Sequence, residues 1–241
     1  MKNLLVRSLY RIRSPQWFRD RSSEGDIFDL YMQMHEISLR SFEKNLEGDW
    51  EFVFFTKEVD NIQTVFKDHF FEIYDLWKQG NNILYCGPDN FMAKPTQFFG
   101  QYDDFRMFNY TDPKRAFNMD FFNADVRYYP HNMDPGTWEQ PLLEAQNWNF
   151  DEWNTEQIIL NRMLWSQPGR TLQNTLMPHM AYQGHLLYGG PGLPQHVAHS
   201  NAWNNSDIAD AHIIHLHGSR NAPEKLKFMV WLEQEMEKPL A

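Results

Sequence analysis

An acidic turn, Gly87-Pro88-Asp89-Asn90, stands directly after the apolar run Ile83-Leu84-Tyr85-Cys86 and before a second apolar stretch, Phe91-Met92-Ala93. A carboxylate at the end of an apolar strand lies where open α/β sheets bind ligands, outside the carboxyl ends of the strands. By composition alone the same four residues also make a good turn, with Pro fixing φ and Asp or Asn tolerating the left-handed region. Near the other end of the chain, His215 and His217 alternate with Ile214 and Leu216, so one imidazole faces each side of a strand. Arg220 and Lys225 follow within ten residues. A guanidinium there is suited to phosphate oxygens, which it meets with two parallel hydrogen bonds. Asp125 and Glu156 are carboxylates of a kind that takes a proton from a hydroxyl, and Gln157 adds an amide beside the second. His185, His196 and His199 occupy a Gly/Pro-rich stretch with a spacing that fits no familiar zinc pattern.

The elements that must position these groups follow from hydrophobic periodicity. Residues 4–10 read as a first strand, and residues 11–25 as a loop rich in Arg, Ser and Pro. From Asp26, a plausible N-cap, the apolar residues Ile27, Leu30, Tyr31, Met34, Ile37 and Phe42 recur at helical spacing, predicting a helix that ends near Gly48. Residues 50–56 are a strand, residues 61–79 a second helix closed by Gly80, and residues 82–86 a strand. That alternation predicts right-handed crossovers and a mainly parallel sheet flanked by helices. Residues 105–110 and 116–129 are extended, residues 131–150 a loop with at most short helical pieces, and residues 153–165 a helix. Residues 184–205 are expected to be a long irregular segment, residues 211–216 a last strand and residues 224–237 a terminal helix. The expected class is α/β, with a single domain over residues 1–241.

The segment from Ile83 to Pro95 resembles the metal-binding strand of GT-A-type nucleotide-sugar glycosyltransferases, especially the glycogenin-like and lipopolysaccharide galactosyltransferase-like members. Their pattern is an apolar strand, Asp-x-Asp, an apolar stretch and Lys-Pro, here closing at Lys94-Pro95. Phe121-Phe122-Asn123-Ala124-Asp125-Val126 is similar to their Phe-Asn-x-Gly-Val strand. Asn154-Thr155-Glu156-Gln157-Ile158-Ile159-Leu160-Asn161 is similar to their Asp-Gln-x-x-Leu-Asn helix, and the run from Ile214 to Pro223 to their His-x-x-Gly-x-x-Lys-Pro segment.

The resemblance implies a GT-A-like, Rossmann-like fold over most of residues 1–225 and transfer of a hexose from a UDP- or GDP-sugar to a hydroxyl of a glycan or lipid-linked acceptor. It implies Mn²⁺ or Mg²⁺ held by Asp89 and His215, because a divalent cation neutralises the diphosphate as it leaves. It places Asn90, Arg220 and Lys225 on the donor, the last two at the phosphates, and Leu9, Tyr10 and Arg11 at the base and ribose. Asp125 or Glu156 would serve as base in an inverting reaction; Gln157 and the phosphate oxygen would serve a retaining one. Trp138, Trp148 and Trp153 are candidates to stack on sugar rings.

The departure is at Gly87, where the family has its first Asp, with Asp125 standing where the family often has Gly. Three outcomes follow: a metal on Asp89 and His215 alone, metal-free catalysis with Arg and Lys, or a non-catalytic nucleotide-sugar or glycan binding protein on the same fold. The 22 Lys+Arg against 32 Asp+Glu, a formal charge of -10, argue against a nucleic-acid surface spread over the chain. A single cysteine, Cys86, excludes an intramolecular disulfide and a thiolate-rich zinc site, and fits a reducing compartment. No run approaches a signal peptide's apolar core or a membrane span. The expectation is a cytoplasmic protein, with peripheral membrane contact left open through a lipid-linked acceptor.

Overall fold

The computed structural model describes residues 1–13, 27–60, 62–108, 123–147, 155–168, 181–186, 196–198, 212–217 and 222–237. In chain order they form β1 (Asn3–Ser8), the short β2 (Arg11–Ile12), α1 (Ile27–Asn45), β3 (Glu51–Phe55), β4 (Glu58–Val59), α2 (Ile62–Lys78), β5 (Asn82–Cys86), β6 (Asn90–Met92), β7 (Arg106–Phe108) and β8 (Asn123–Tyr129). A 3-10 turn at Pro135–Trp138 leads into α3 (Glu139–Asn147), followed by α4 (Thr155–Ser166), β9 (Ala181–Leu186), β10 (His196–Ala198), β11 (Ile213–His217) and α5 (Ala222–Glu237). The chain divides into two compact units. The first holds Met1–Ser14, Gly48–Cys86 and Gln97–Pro178; the second holds Pro15–Glu47, Gly87–Thr96 and His179–Ala241. Pro15, Gly48, Gly87 and Pro178 stand at four of the five crossings, and these residue types break regular structure.

The first unit is built on a five-stranded sheet in the order β3-β1-β5-β8-β7. β1 pairs in parallel with β3 and with β5, whereas β8 is antiparallel to β5 and to β7, so four strands point one way and β8 the other. Leu4, Leu5 and Val6 of β1 are all buried, a continuous apolar run of the kind a central parallel strand needs when both faces are covered. The same sheet presents Leu4, Val6, Ile83, Tyr85, Met107 and Tyr129 to one core, completed by Phe70, Ile73 and Trp77 of α2 and by Ile159, Leu160, Met163 and Leu164 of α4. Trp138 belongs to that core. It is 1% exposed, stacks on Tyr129 at 5.3 Å and meets Phe70 edge-on at 5.4 Å, so it is not available to a sugar. Trp148 and Trp153 lie outside the described residues.

The second unit is built on a four-stranded sheet in the order β10-β9-β11-β6, parallel only between β9 and β11. α1 buries Met34, Ile37, Ser38, Ser41, Phe42 and Asn45, a stripe at three- and four-residue spacing that mixes apolar with polar side chains. The polar ones are needed because β6 is an edge strand with unpaired backbone groups. Ser38 donates to the Asn90 carbonyl, Ser41 Oγ accepts from the Met92 amide at 2.9 Å, and Asn45 Nδ2 donates to the Met92 carbonyl at 2.8 Å. The apolar part of the stripe packs with Phe228, Met229 and Leu232 of α5, and Arg40 grips Glu233 with bonds of 2.7 and 3.1 Å.

Two sequence-based expectations are corrected. Residues 131–150 hold α3 rather than a loop; Pro141 falls in its first turn, where a missing amide hydrogen leaves no helical bond unmade. Within residues 184–205, the described residues 184–186 and 196–198 are strand instead, the end of β9 and all of β10, paired antiparallel in the register Leu186↔His196; the others lie outside the described residues. Asp26, expected to cap α1, lies outside the described residues.

Candidate functional site

Asp89 follows β5 and immediately precedes β6, and its position is fixed by backbone pairing. The register Ile213↔Met92, Ile214↔Phe91, His215↔Asn90 lays β11 antiparallel to β6, and the Leu216 amide then donates to the Asp89 carbonyl at 3.0 Å. The register therefore delivers His215, 125 positions along the chain from Asn90, to the side of the turn. Asn90 Nδ2 closes that turn on the Gly87 carbonyl at 3.1 Å, and the Asn90 side-chain oxygen is buried without a hydrogen-bond partner among the described residues.

Two side chains, Lys225 and His215, approach the Asp89 carboxylate, and a third, Tyr31, holds the lysine. Lys225 Nζ, from the first turn of α5, lies 2.5 Å from Oδ2. The same ammonium donates to the Tyr31 hydroxyl of α1 at 3.2 Å and sits 5.4 Å from the centre of that ring. His215 Nε2 is 3.9 Å from Oδ1. Lys225 is 1% exposed, and burial alone would lower its pKa. The Asp89 charge outweighs that effect, with help from Tyr31, and raises the pKa above the ordinary lysine value, so Lys225 is charged at neutral pH.

This donor set does not fit a divalent cation. Among the described residues Asp89 is the one carboxylate of the cluster, and its charge is neutralised by an ammonium that would repel a dication at the same oxygens. Among the described residues no group of three or more His, Cys, Asp or Glu side chains is placed to hold a metal.

A second polar cluster lies within the first unit. Arg127 of β8 is 1% exposed and donates from Nη1 to Glu156 Oε1 at 2.6 Å. Its guanidinium also contacts His69 Nε2 and lies 4.1 Å from the centre of the Tyr85 ring. His69 Nε2 is in turn 3.2 Å from Glu156 Oε1, and its Nδ1 is 2.6 Å from the hydroxyl of Ser8 at the end of β1. Burial alone would raise the Glu156 carboxyl, but Arg127 and then His69 outweigh it and hold it at about 2. A carboxylate held there is a weak proton acceptor near neutral pH. The cluster fixes Ser8 as a half-buried hydroxyl backed by an imidazole and a buried ion pair.

The remaining predicted site residues that are described all lie in the first unit. Leu9 and Arg11 continue the pairing of β1 and β2 alongside β3 and β4, donating to the carbonyls of Phe55 at 3.0 Å and Lys57 at 2.9 Å. Tyr10 is buried and its hydroxyl bonds Glu72. Asp125 lies in β8 and Gln157 in α4, with both side chains outside the described set. Arg220 lies outside the described residues altogether. Within the second unit the structure brings together Asp89, His215 and Lys225. Sequence reasoning missed Tyr31, read as part of an apolar helix face, and also His69, Arg127 and Ser8, which no local motif marks.

No family model matches the chain, and no curated protein matches it. Among solved structures the chain is similar to a glycosyltransferase involved in the glycosylation of the major capsid of PBCV-1. The two share 10% sequence identity with a TM-score of 0.53, over 96% of this chain and 100% of that one. At that identity the likeness bears on architecture alone, and it shows a glycosyltransferase-like mixed α/β fold.

Proposed function

We propose that the protein is a glycosyltransferase that moves a hexose from a nucleotide diphosphate sugar to a hydroxyl of a glycan or lipid-linked acceptor. The observation that carries this reading is the likeness to a glycosyltransferase over nearly the whole length of both chains. The cluster of Asp89, His215 and Lys225 supports it, because one residue from each of two family-like motifs meets there, with a lysine two residues past the second motif. The leaving diphosphate gains charge as the sugar bond breaks, so the site must present fixed positive charge near it. Lys225 is one such charge, and Arg220 is proposed as another. Ser8, Leu9, Tyr10 and Arg11 would meet the base and ribose, with Ser8 held by His69.

For the acceptor, an inverting reaction needs a carboxylate able to take a proton at working pH. Glu156, held at about 2 by Arg127, suits positioning rather than proton transfer, which leaves Asp125 as the proposed base. A retaining reaction would instead use Gln157 beside the sugar and the phosphate oxygen. Incubation with UDP- and GDP-hexoses and simple glycan acceptors tests the proposal through release of the nucleoside diphosphate. Acceptor-dependent release with at least one donor is expected. The rival reading is a nucleotide-sugar binding protein, favoured by Gly87 where the family carries a carboxylate. Saturable donor binding with no release under any acceptor would select the rival.

A further inference from the structure

The carboxylate that the family pattern assigns to a divalent cation already holds a cation of the chain's own. Lys225 Nζ is 2.5 Å from Asp89 Oδ2, almost fully buried, and held on its other side by the Tyr31 hydroxyl at 3.2 Å. His215, the second expected ligand, is 3.9 Å from Oδ1 of the same carboxylate. The position where a second carboxylate would add charge is Gly87. A metal held by one carboxylate and one imidazole has little to displace a fixed ammonium, since each missing anionic ligand removes both charge and geometric constraint. Lysine also needs no uptake from solution and is charged at all physiological pH values when paired in this way.

We infer that Lys225 takes the place of the divalent metal. Asp89 holds the lysine in position instead of ligating a metal, Tyr31 fixes the ammonium from the other side, and the donor diphosphate is bound without added cation. The charge arrangement at Asp89 stands on the geometry alone; the identity of the ligand as a nucleotide diphosphate rests on the glycosyltransferase reading.

The two parts separate experimentally. Mn²⁺ alone, titrated into the full chain and followed by the paramagnetic resonance signal of free Mn²⁺, should show no saturable binding to the wild type. Lys225→Met removes the cation from the Asp89 carboxylate and should gain Mn²⁺ affinity by about tenfold or more, and Asp89→Asn combined with Lys225→Met should lose the gain. UDP or GDP should bind the wild type equally in EDTA and in Mn²⁺. Wild-type Mn²⁺ binding as tight as that of Lys225→Met, or a folded Lys225→Met that gains none, would overturn the inference. If circular dichroism shows Lys225→Met to be unfolded, the wild type decides: saturable Mn²⁺ binding that Asp89→Asn abolishes overturns the inference, and its absence upholds it. A gain of Mn²⁺ by Lys225→Met with no nucleoside diphosphate bound in any condition would leave the lysine assignment standing and sink the nucleotide reading.

Discussion

At Asp89 and at Glu156 the same device appears, a buried or mostly buried carboxylate matched to a buried cation from a distant part of the chain. Removing one partner of such a pair leaves an uncompensated charge and destabilises by roughly 3–5 kcal/mol, whereas removing both together can be nearly neutral. Lys225→Met alone should therefore destabilise the protein by that amount, and Asp89→Asn with Lys225→Met should recover most of it. Denaturant melts of the two single variants and the double variant measure the coupling; a double variant no more stable than Lys225→Met would mean that the pair is not a closed unit. Asp89, His215 and Lys225 were legible in the sequence because each sits in a short local pattern. Arg127, Glu156, His69 and Ser8 were not legible as a cluster. They are brought together by the pairing of β5 with β8 and by the packing of α2 and α4, and no spacing rule encodes those contacts.

Among the elements, strands and helices with a continuous apolar run or a clean helical stripe were readable from sequence, and α3, β9 and β10, which have neither, were not. β1, β3, β5, α1 and α2 fall close to their expected bounds because continuous apolar runs and helical stripes leave little choice. β9 and β10 escaped because they hold together by pairing with each other and with β11, and a composition of Gly and His gives no such hint. The C-terminal end of α2 gives a clean test of backbone conformation. Gly80 has φ of 82°, and a side chain there would meet nothing within 4 Å. Gly80→Ala should therefore destabilise by roughly 1–2 kcal/mol through the left-handed backbone alone. Gly136 has no such φ, and its added methyl would meet Asp134 Oδ1 at an ordinary 3.4 Å. Gly136→Ala should change stability by no more than about 0.5 kcal/mol. Equal effects of the two substitutions in thermal melts would contradict the conformational account.

For the whole molecule, net charge and buried ion pairs set the response to pH and to ligands. Glu156 titrates at about 2 when folded, against 4.5 for the unperturbed group, so its contribution is complete above about 4.5 and is lost as the pH falls toward 2. With each pKa unit worth about 1.4 kcal/mol, that contribution is on the order of 3 kcal/mol. Glu156→Gln should flatten the acid limb of the stability curve between those pH values relative to wild type; an unchanged limb would mean that Arg127 does not hold Glu156 in solution. Among the described residues no helix is long and apolar enough to cross a membrane. The central claim, that the chain binds a nucleotide diphosphate sugar, is tested most directly by melting the 241-residue chain with a panel of UDP- and GDP-hexoses in EDTA. A donor at a hundred times its dissociation constant stabilises by about 2.7 kcal/mol, which for a chain of this size is a rise in Tm of roughly 5–10 °C. The account predicts a rise of that size for at least one nucleotide sugar and for its nucleoside diphosphate, but not for the free hexose; no rise with any member of the panel, in EDTA or in Mn²⁺, would contradict it.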